Sequence, residues 1–334
     1  MRCFYLKKVL IIFGGKSTEH YISCKSCKSI IENIDDKLFD YSVIGIDLNG
    51  DWYTFDDDLS YLKNGNWKET NINKIDNIVE YLKEFDVVFP IIHGNNGEDG
   101  KLQGMLDLFN IKYVGCNTIA SAICMDKGIS KLLFDSLNLK QIPYIIINND
   151  YNVNEIIKKL DFPLIVKPAN GGSSIGINKA VNKEELIEAI KEARKYDNKV
   201  IVEKFIKTRE LECAVLEKEN KLICSVPGEI VSANEFYDYD AKYLNNKSYT
   251  TIADDLKEEV ISKIKEYSSK IFINLGLKDY ARIDYFYDEE NGEIYINEVN
   301  TIPGFTSISM FPKLMEYEGI KYKDLITVLI DNNF

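Results

Sequence analysis

Residues 278–306 of this 334-residue chain, KDYARIDYFYDEENGEIYINEVNTIPGFT, set an arginine, an aspartate, a glutamate and an asparagine at the ends of two predicted strands. The first strand, 280–287, carries Arg282 and Asp284 two positions apart and therefore on one face of the pleat. After an Asp-Glu-Glu-Asn-Gly turn, the second strand, 293–299, delivers Glu298, with Asn300 two positions further on. Paired as a hairpin, the two strands bring Asp284, Glu298 and Asn300 together beside the fixed cation of Arg282. Hard oxygen ligands suit Mg²⁺, which takes one or two carboxylates from a protein and the rest from phosphates and water. The Pro303-Gly304 turn then supplies backbone N–H groups close to the ion. Alone, the same pattern would also suit a surface hairpin whose acids face water.

A second group of residues points to phosphate. Lys167 ends the apolar run Pro163-Leu164-Ile165-Val166, and a lysine closing a buried strand is expensive unless it meets an anion. The loop that follows, Asn170-Gly171-Gly172-Ser173-Ser174-Ile175-Gly176, is poor in side chains, and its N–H groups can wrap phosphate oxygens. The lysine precedes the glycines, so this is not a Walker A loop. Near the start, Glu19 follows the Gly14-Gly15 turn, where a carboxylate can pair with the ammonium of a small amino acid. His20 beside it reads as a loop histidine rather than a catalyst.

These residues need elements to hold them. The β-branched run 9–13 ending in Gly14-Gly15 reads as a buried parallel strand and tight turn. A helix at 23–33, strands at 41–47, 86–92 and 111–114, and a helix at 101–109 alternate as in a doubly wound parallel sheet. In such sheets ligands sit beyond the carboxyl ends of the strands, where the 14–20 and 93–100 loops lie. One helix, 117–137, is expected to lead into a second unit with strands at 142–147, 164–167 and 200–204. Helices at 152–160 and 182–195 separate those strands, the latter opened by an Asn182/Glu185 capping box. Strands at 211–217 and 222–230, an irregular 231–253 segment, a helix at 256–275, the hairpin, and helices at 307–317 and 322–330 complete the chain. A long irregular stretch rich in aromatics and acids inside a compact chain is usually functional, often a lid.

Composition excludes several classes. The formal charge of −12, without a basic block, argues against a nucleic-acid partner. No apolar stretch approaches bilayer length and the N-terminal apolar run is too short for a signal peptide, so a cytoplasmic protein is expected. Seven scattered cysteines suit a reducing compartment. Cys24-Lys25-Ser26-Cys27 is formally a C-x-x-C, but a zinc site would lack a second pair, and the chain has only two histidines. The plain reading of the pair is small residues on the first helix.

Glu298-Val299-Asn300 with Pro303-Gly304 resembles the metal-binding end of ATP-grasp enzymes, and more narrowly of D-alanine–D-alanine ligases. The family's pattern is matched in order by Gly14-Gly15-Lys16-Ser17-Thr18-Glu19-His20, His93-Gly94-Asn95-Asn96-Gly97-Glu98-Asp99-Gly100 and Met125-Asp126-Lys127. Lys167-Pro168 with 172–176, the 236–243 run Phe-Tyr-Asp-Tyr-Asp-Ala-Lys-Tyr and Arg282-Ile283-Asp284 complete the match, which spans residues 14–310. The resemblance implies an α/β (α+β) ATP-grasp fold with an N-terminal substrate-binding unit at 1–115, a central subdomain at 116–208 and a catalytic unit at 209–334. It implies ATP-dependent joining of two D-alanines through an acyl phosphate, for peptidoglycan precursors, with two Mg²⁺ (or Mn²⁺) ions on Asp284, Glu298 and Asn300. Lys127, Lys167, Ser173 and Ser174 would then hold ATP phosphates. Glu203, Lys204, Phe205, Ile206 and Glu210 would line the adenosine, with Lys242, Phe286 and Asn297 completing the ATP site. Glu19, Ser173 and Tyr243 would form a hydrogen-bonded triad linking lid, substrate and N-terminal unit. His93, Arg282, Gly304, Ser309 and Met310 would contact the D-alanines, with Arg282 and the Gly304 N–H at the oxyanion. Such enzymes are often homodimers.

Two departures stand out: Gly171 replaces an acid many relatives carry, and no proline occurs in Thr251-Ile252-Ala253-Asp254 near the end of the lid. A ligase using D-serine or D-lactate as second substrate is the nearest rival, because 297–307 and 115–117 look like the resistance-type enzymes. Against a nicotinamide-dependent dehydrogenase, Gly14-Gly15 lacks a third glycine at the Rossmann spacing. Against a non-catalytic ATP-binding module, Arg282, Asp284, Glu298 and Asn300 are all intact.

Overall fold

The apolar run at 9–13 forms the centre of β1 (Lys7–Gly14), whose residues are buried from Val9 onward. In this computed structural model, which describes residues 6–231 and 249–334, β1 lies between two parallel neighbours, β2 (Phe39–Ile46) and β4 (Val87–Pro90). A short antiparallel β3 (Trp52–Thr54) closes the edge, giving the order β3-β2-β1-β4. The expected strand at 111–114 shrinks to a single bridge between Val88 and Tyr113. Helix α1 (His20–Ile31) begins three residues earlier than expected and packs Cys24 and Cys27 into the core. Burial pushes the Cys24 thiol up to about 12 and Cys27 well above the usual range, so both behave as small apolar side chains. Between β3 and β4 lie two short helices, α2 (Ser60–Asn64) and α3 (Ile78–Leu82), which carry too little apolar periodicity to be read in advance. Helix α4 (Lys101–Leu108) follows β4.

The expected single helix at 117–137 is two. Asn117 caps α5 (Thr118–Met125) through the Ala120 N–H at 2.9 Å. Asp126 leaves helical geometry (φ −84°, ψ 96°) and caps α6 (Lys127–Ser136) through the Ile129 N–H at 3.1 Å. A short acceptor side chain competing for the backbone makes this break, which periodicity alone does not reveal. It sets Lys127 at the start of a helix.

A second, antiparallel sheet has the order β5-β8-β6-β7: β5 (Tyr144–Ile147), β8 (Val200–Lys204), β6 (Leu164–Pro168) and β7 (Asn178–Ala180). Helices α7 (Val153–Leu160) and α8 (Lys183–Ala193) cover it, and Asn182 caps α8 through the Glu185 N–H at 2.9 Å. The third sheet is also antiparallel and runs β12-β11-β9-β13-β14, with β10 beside β9. Its strands are β9 (Arg209–Lys218), β10 (Lys221–Cys224), β11 (Gly228–Val231), β12 (Tyr249–Ile252), β13 (Tyr280–Asp288) and β14 (Glu293–Asn300). The strand expected at 222–230 is divided where Pro227, lacking an N–H, cannot continue a ladder. Helix α9 (Glu258–Asn274) packs on this sheet, and α10 (Met310–Tyr317) and α11 (Tyr322–Asp331) close the chain. None of the described helices is long and apolar enough to cross a membrane.

The first and third sheets share one core. Phe89 of β4 meets Phe305 edge-on at 6.2 Å, and Phe305 in turn meets Tyr280 and Phe311 at 5.7 and 5.9 Å. Trp67 belongs to the same core, its ring 5.0 Å from that of Phe13. Its indole donates to His20 Nε2 at 3.2 Å, while His20 Nδ1 donates to the Gly15 carbonyl at 2.8 Å. His20 is therefore a structural histidine with a fixed tautomer. This packing leaves no room on Gly45 of β2, where a Cβ would lie 2.7 Å from the Trp67 ring and 2.8 Å from the Phe13 ring. Gly45→Ala should lower the unfolding free energy by about 1–3 kcal/mol, measured by urea titration; an unchanged midpoint would contradict this packing.

Candidate functional site

The hairpin forms, with a bulge. Asp284 faces Glu298 and Arg282 faces Asn300, but Tyr285 faces Ile296, so Asn297 is an extra residue on β14. A bulge re-aims side chains, and here it serves two lysines from different elements. Asn297 Oδ1 lies 3.5 Å from Lys167 Nζ, and Glu298 Oε2 lies 3.2 Å from Lys127 Nζ. Arg282 grips Asp284 with two parallel hydrogen bonds, 2.8 and 2.7 Å, and reaches Glu212 Oε1 at 3.2 Å. Asn300 Nδ2 donates to Asp284 Oδ2 at 2.9 Å. Despite burial, the carboxylates of Asp284 and Glu212 hold the guanidinium pKa well above its usual value. Glu212, directly across β9 from Asp284, was not singled out by the sequence reading, since nothing in 209–218 distinguishes it from a strand acid.

Among the described residues, no group of three acidic, histidine or cysteine side chains is arranged to hold a metal ion unaided. Two carboxylates and an amide oxygen on facing strands nevertheless fit Mg²⁺, whose remaining positions phosphates and water would fill.

The break at Asp126 puts Lys127 between this hairpin and the glycine loop. Its Nζ donates to the Gly171 carbonyl at 2.8 Å while 3.2 Å from Glu298. Gly171 adopts φ +132°, a conformation side-chain-bearing residues rarely take, so an acid there would need a different loop. Ser173 and Ser174 also sit at positive φ, 52° and 57°, strain of the kind that gathers at ligand clamps. Lys127, 171–175 and Glu298 line a cavity of about 50 Å³, room for a small anion rather than a nucleotide.

Lys167 meets an anion, but from the protein. Its Nζ lies 2.6 Å from Glu203 Oε2, and Lys131, a residue the sequence reading passed over, lies 2.6 Å from Glu203 Oε1. Burial alone would raise the Glu203 pKa; the two ammoniums outweigh it and hold the group at about 2. At the end of β8 the Lys204 N–H is taken by the Pro143 carbonyl and the Phe205 N–H by Pro163, both at 2.9 Å, and Ile206 lies just past the strand. Lys179 Nζ stands over the Phe205 ring at 4.0 Å. Glu210 and Phe286 face one another across β9 and β13.

The first sheet supplies the third side. Ser173 donates to Glu19 Oε1 across the gap between sheets. Glu19 is held where its own N–H meets Ser17 Oγ at 3.1 Å, and Ser17 donates to the His93 carbonyl at 2.8 Å. His93 spends both ring nitrogens on protein: Nδ1 donates to the Ile302 carbonyl at 2.9 Å, and Nε2 accepts from Ser26 at 2.8 Å. Burial lowers its pKa, so it is a neutral ring that positions the 302–305 turn. Glu98, whose role the sequence did not disclose, accepts from the N–H groups of Ile302 and Gly94, both at 2.9 Å. Burial and the nearby Glu19 push its carboxyl up to about 8 against those donors.

Gly304 sits on this turn, where a Cβ would lie 2.9 Å from Ser309 Oγ. Ser309 accepts from the Thr306 N–H at 3.0 Å, and Met310 opens α10 buried, its sulfur packed over Gly228. Lys242 and Tyr243, with the rest of 232–248, lie outside the described residues.

Three sheets thus turn the hairpin, the glycine loop and Glu19 towards one place. Family models described as D-ala D-ala ligase N-terminus and D-ala D-ala ligase C-terminus match residues 8–116 and 128–331. The chain belongs to the D-alanine–D-alanine ligase family. It is 43% identical to the D-alanine--D-alanine ligase of Acetivibrio thermocellus, over 97% of this chain and 95% of that one. It is 44% identical to D-alanine--D-alanine ligase B of Clostridium tetani, over 97% and 92%. Among solved structures, the ligase from Coxiella burnetii superposes with TM-score 0.84 at 31% identity, covering 98% of this chain and 95% of that one. The VanG D-Ala:D-Ser ligase from Enterococcus faecalis superposes at 0.88 and 35%, covering 99% and 100%. Like those structural neighbours, this ligase has the ATP-grasp fold.

Depression of the Glu203 pKa from 4.5 to about 2 makes its charge a source of stability. The contribution, on the order of 3 kcal/mol, is whole above pH 4.5 and disappears as the pH falls through about 2. Glu203→Gln should therefore be much less stable than wild type at pH 7, with most of the gap gone by pH 2.5. Urea unfolding at the two pH values checks this; a pH-independent gap would refute it.

Proposed function

We infer that this ligase joins two D-alanines to D-alanyl-D-alanine at the expense of ATP, in the cytoplasm, for peptidoglycan precursors. The observation that carries the reading is Lys127, whose ammonium touches both the glycine loop and Glu298. One lysine thus spans the two features expected to meet at a triphosphate. The D-Ala-specific names of relatives at 42–44% identity support D-alanine as second substrate.

The placements support the following chemistry. The carboxylate of the first D-alanine, its ammonium facing Glu19, attacks the γ-phosphorus of ATP; the bond to ADP breaks and an acyl phosphate forms. The amine of the second D-alanine then attacks that carbonyl, and phosphate departs as the peptide bond forms. Mg²⁺ held by Asp284, Glu298 and Asn300 would neutralise charge on the phosphates. Lys127, Lys167 and the 172–176 N–H groups orient them. Arg282, clamped by Asp284 and Glu212, and the Gly304 N–H would hold the oxyanion. The Ser173–Glu19 bond joins the phosphate loop to the first sheet and helps keep water from an intermediate that hydrolyses readily.

Asp284→Ala should cut Mg²⁺-dependent ADP release with D-alanine by about a thousandfold or more, because a carboxylate that both ligates the ion and fixes Arg282 is lost. Turnover within tenfold of wild type would remove the hairpin from the mechanism. The VanG likeness makes D-serine the rival acceptor. Met310 is buried and apolar, and an unpartnered buried hydroxyl costs about 1–3 kcal/mol, so D-alanine should be preferred roughly tenfold to a hundredfold. Competition between labelled D-alanine and D-serine at equal concentration tests this. Equal or greater D-Ala–D-Ser product would make the enzyme a resistance-type ligase.

A further inference from the structure

Lys131 is 1% exposed, one of the most deeply buried charged side chains described, and the mechanism above does not use it. An ammonium is sealed from water only where the surroundings compensate it. Its cage has three members: Glu203 of β8 at 2.6 Å, Gln141 Oε1 at 3.4 Å, and the face of the Tyr144 ring at 4.7 Å from its centroid. Gln141 is held by the Lys131 carbonyl at 2.8 Å, and the Tyr144 hydroxyl by Asp135 at 2.7 Å, so the cage is built rather than incidental.

Within the buried trio the charges do not balance; the next carboxylate, Asp135, is exposed and meets the Gln141 amide and the Tyr144 hydroxyl rather than the ammonium. Glu203 is one carboxylate shared by two ammoniums, Lys131 on Oε1 and Lys167 on Oε2, all three nearly buried. The trio carries one surplus positive charge, and of its two lysines it is Lys167 that reaches the hairpin, 3.5 Å from Asn297 at the bulge. A phosphate oxygen can therefore draw Lys167 away from Glu203. With a single lysine partner, that departure would strand a buried carboxylate, at a cost that holds the lysine in place. Lys131 remains behind to compensate it.

We propose that Lys131 is a positioning residue for ATP binding: a fixed counter-ion that keeps Glu203 compensated and so releases Lys167 to the triphosphate. The inference rests on the ATP-dependent reading above. It predicts a coupling of unusual sign. Lys131→Met leaves Lys167 as the sole partner of Glu203, so it should fold but bind ATP about tenfold to a hundredfold more weakly. Adding Glu203→Gln removes the charge that traps Lys167, and the double variant should bind ATP more tightly than Lys131→Met alone, although it carries one more lesion. Lys131→Gln can still donate a hydrogen bond but brings no charge, and should behave like Lys131→Met.

Calorimetric Kd values for Mg²⁺-ATP on all four proteins, with melting temperatures and the KM and kcat for ATP, decide it. The weakening should appear in Kd and KM rather than in kcat. A wild-type Kd in Lys131→Met or Lys131→Gln, or a double variant no tighter than Lys131→Met, would overturn the counter-ion role. A wild type that releases ADP with D-alanine while the variants show no such coupling sinks this inference alone. A wild type that binds no ATP sinks the functional reading with it.

Discussion

The attachment of residues 301–306 to the first sheet is the constraint on which the site depends. This short turn carries Gly304, the donor proposed for the oxyanion, and three of its hydrogen bonds go to residues more than 200 positions away in sequence. His93 and Glu98 take the carbonyl and N–H of Ile302, and Ser26 accepts from the Phe305 N–H. The Phe305 side chain beneath it joins the aromatic stack of Phe89, Tyr280 and Phe311. Buried polar groups that are fully partnered fix one geometry, because any slip leaves a donor or acceptor unpaired in a low dielectric. The 13–20 loop, the hairpin and the turn are thereby set against each other before any substrate arrives.

Around that fixed frame, the cations of the site rest on the protein's own acids. Lys127 leans on Glu298, Lys167 on Glu203, and Arg282 on Asp284. A chain of net charge −12 can still bind a polyanion, because what matters is the local exchange of one anion for another. On the proposed ATP-binding role, binding would trade protein carboxylates for phosphates at little change in local charge, which favours selectivity over raw affinity.

Much of this was legible in the sequence, and the exceptions are physical. Most strands read from β-branched runs hold, apart from 111–114 and the divided 222–230, and so do the faces read from two-residue spacing: Arg282, Asp284, Glu298 and Asn300 lie where alternation puts them. Missed were features that arise only when distant segments meet. Nothing in 293–300 announces the bulge at Asn297, because an extra residue is defined by the partner strand. Glu212 and Lys131 look like ordinary members of a strand and a helix until Arg282 and Glu203 reach them. The continuous helix expected at 117–137 failed at Asp126 because apolar periodicity runs through the break, while the deciding hydrogen bond is made by a side chain. The role of His93 was likewise invisible, since both its partners are far away in sequence.

The bulge restricts how this hairpin can change over evolution. Because one surplus residue already stands on β14, alternation before and after Asn297 is out of phase. Deleting or inserting a single residue between there and Asn300 would turn Glu298 and Val299 to each other's faces, burying the acid and exposing the valine. Changes in length are tolerated only where no phase is kept, at the exposed 289–292 tip. Homologous chains should therefore differ in length at that tip and hold the count from bulge to turn constant.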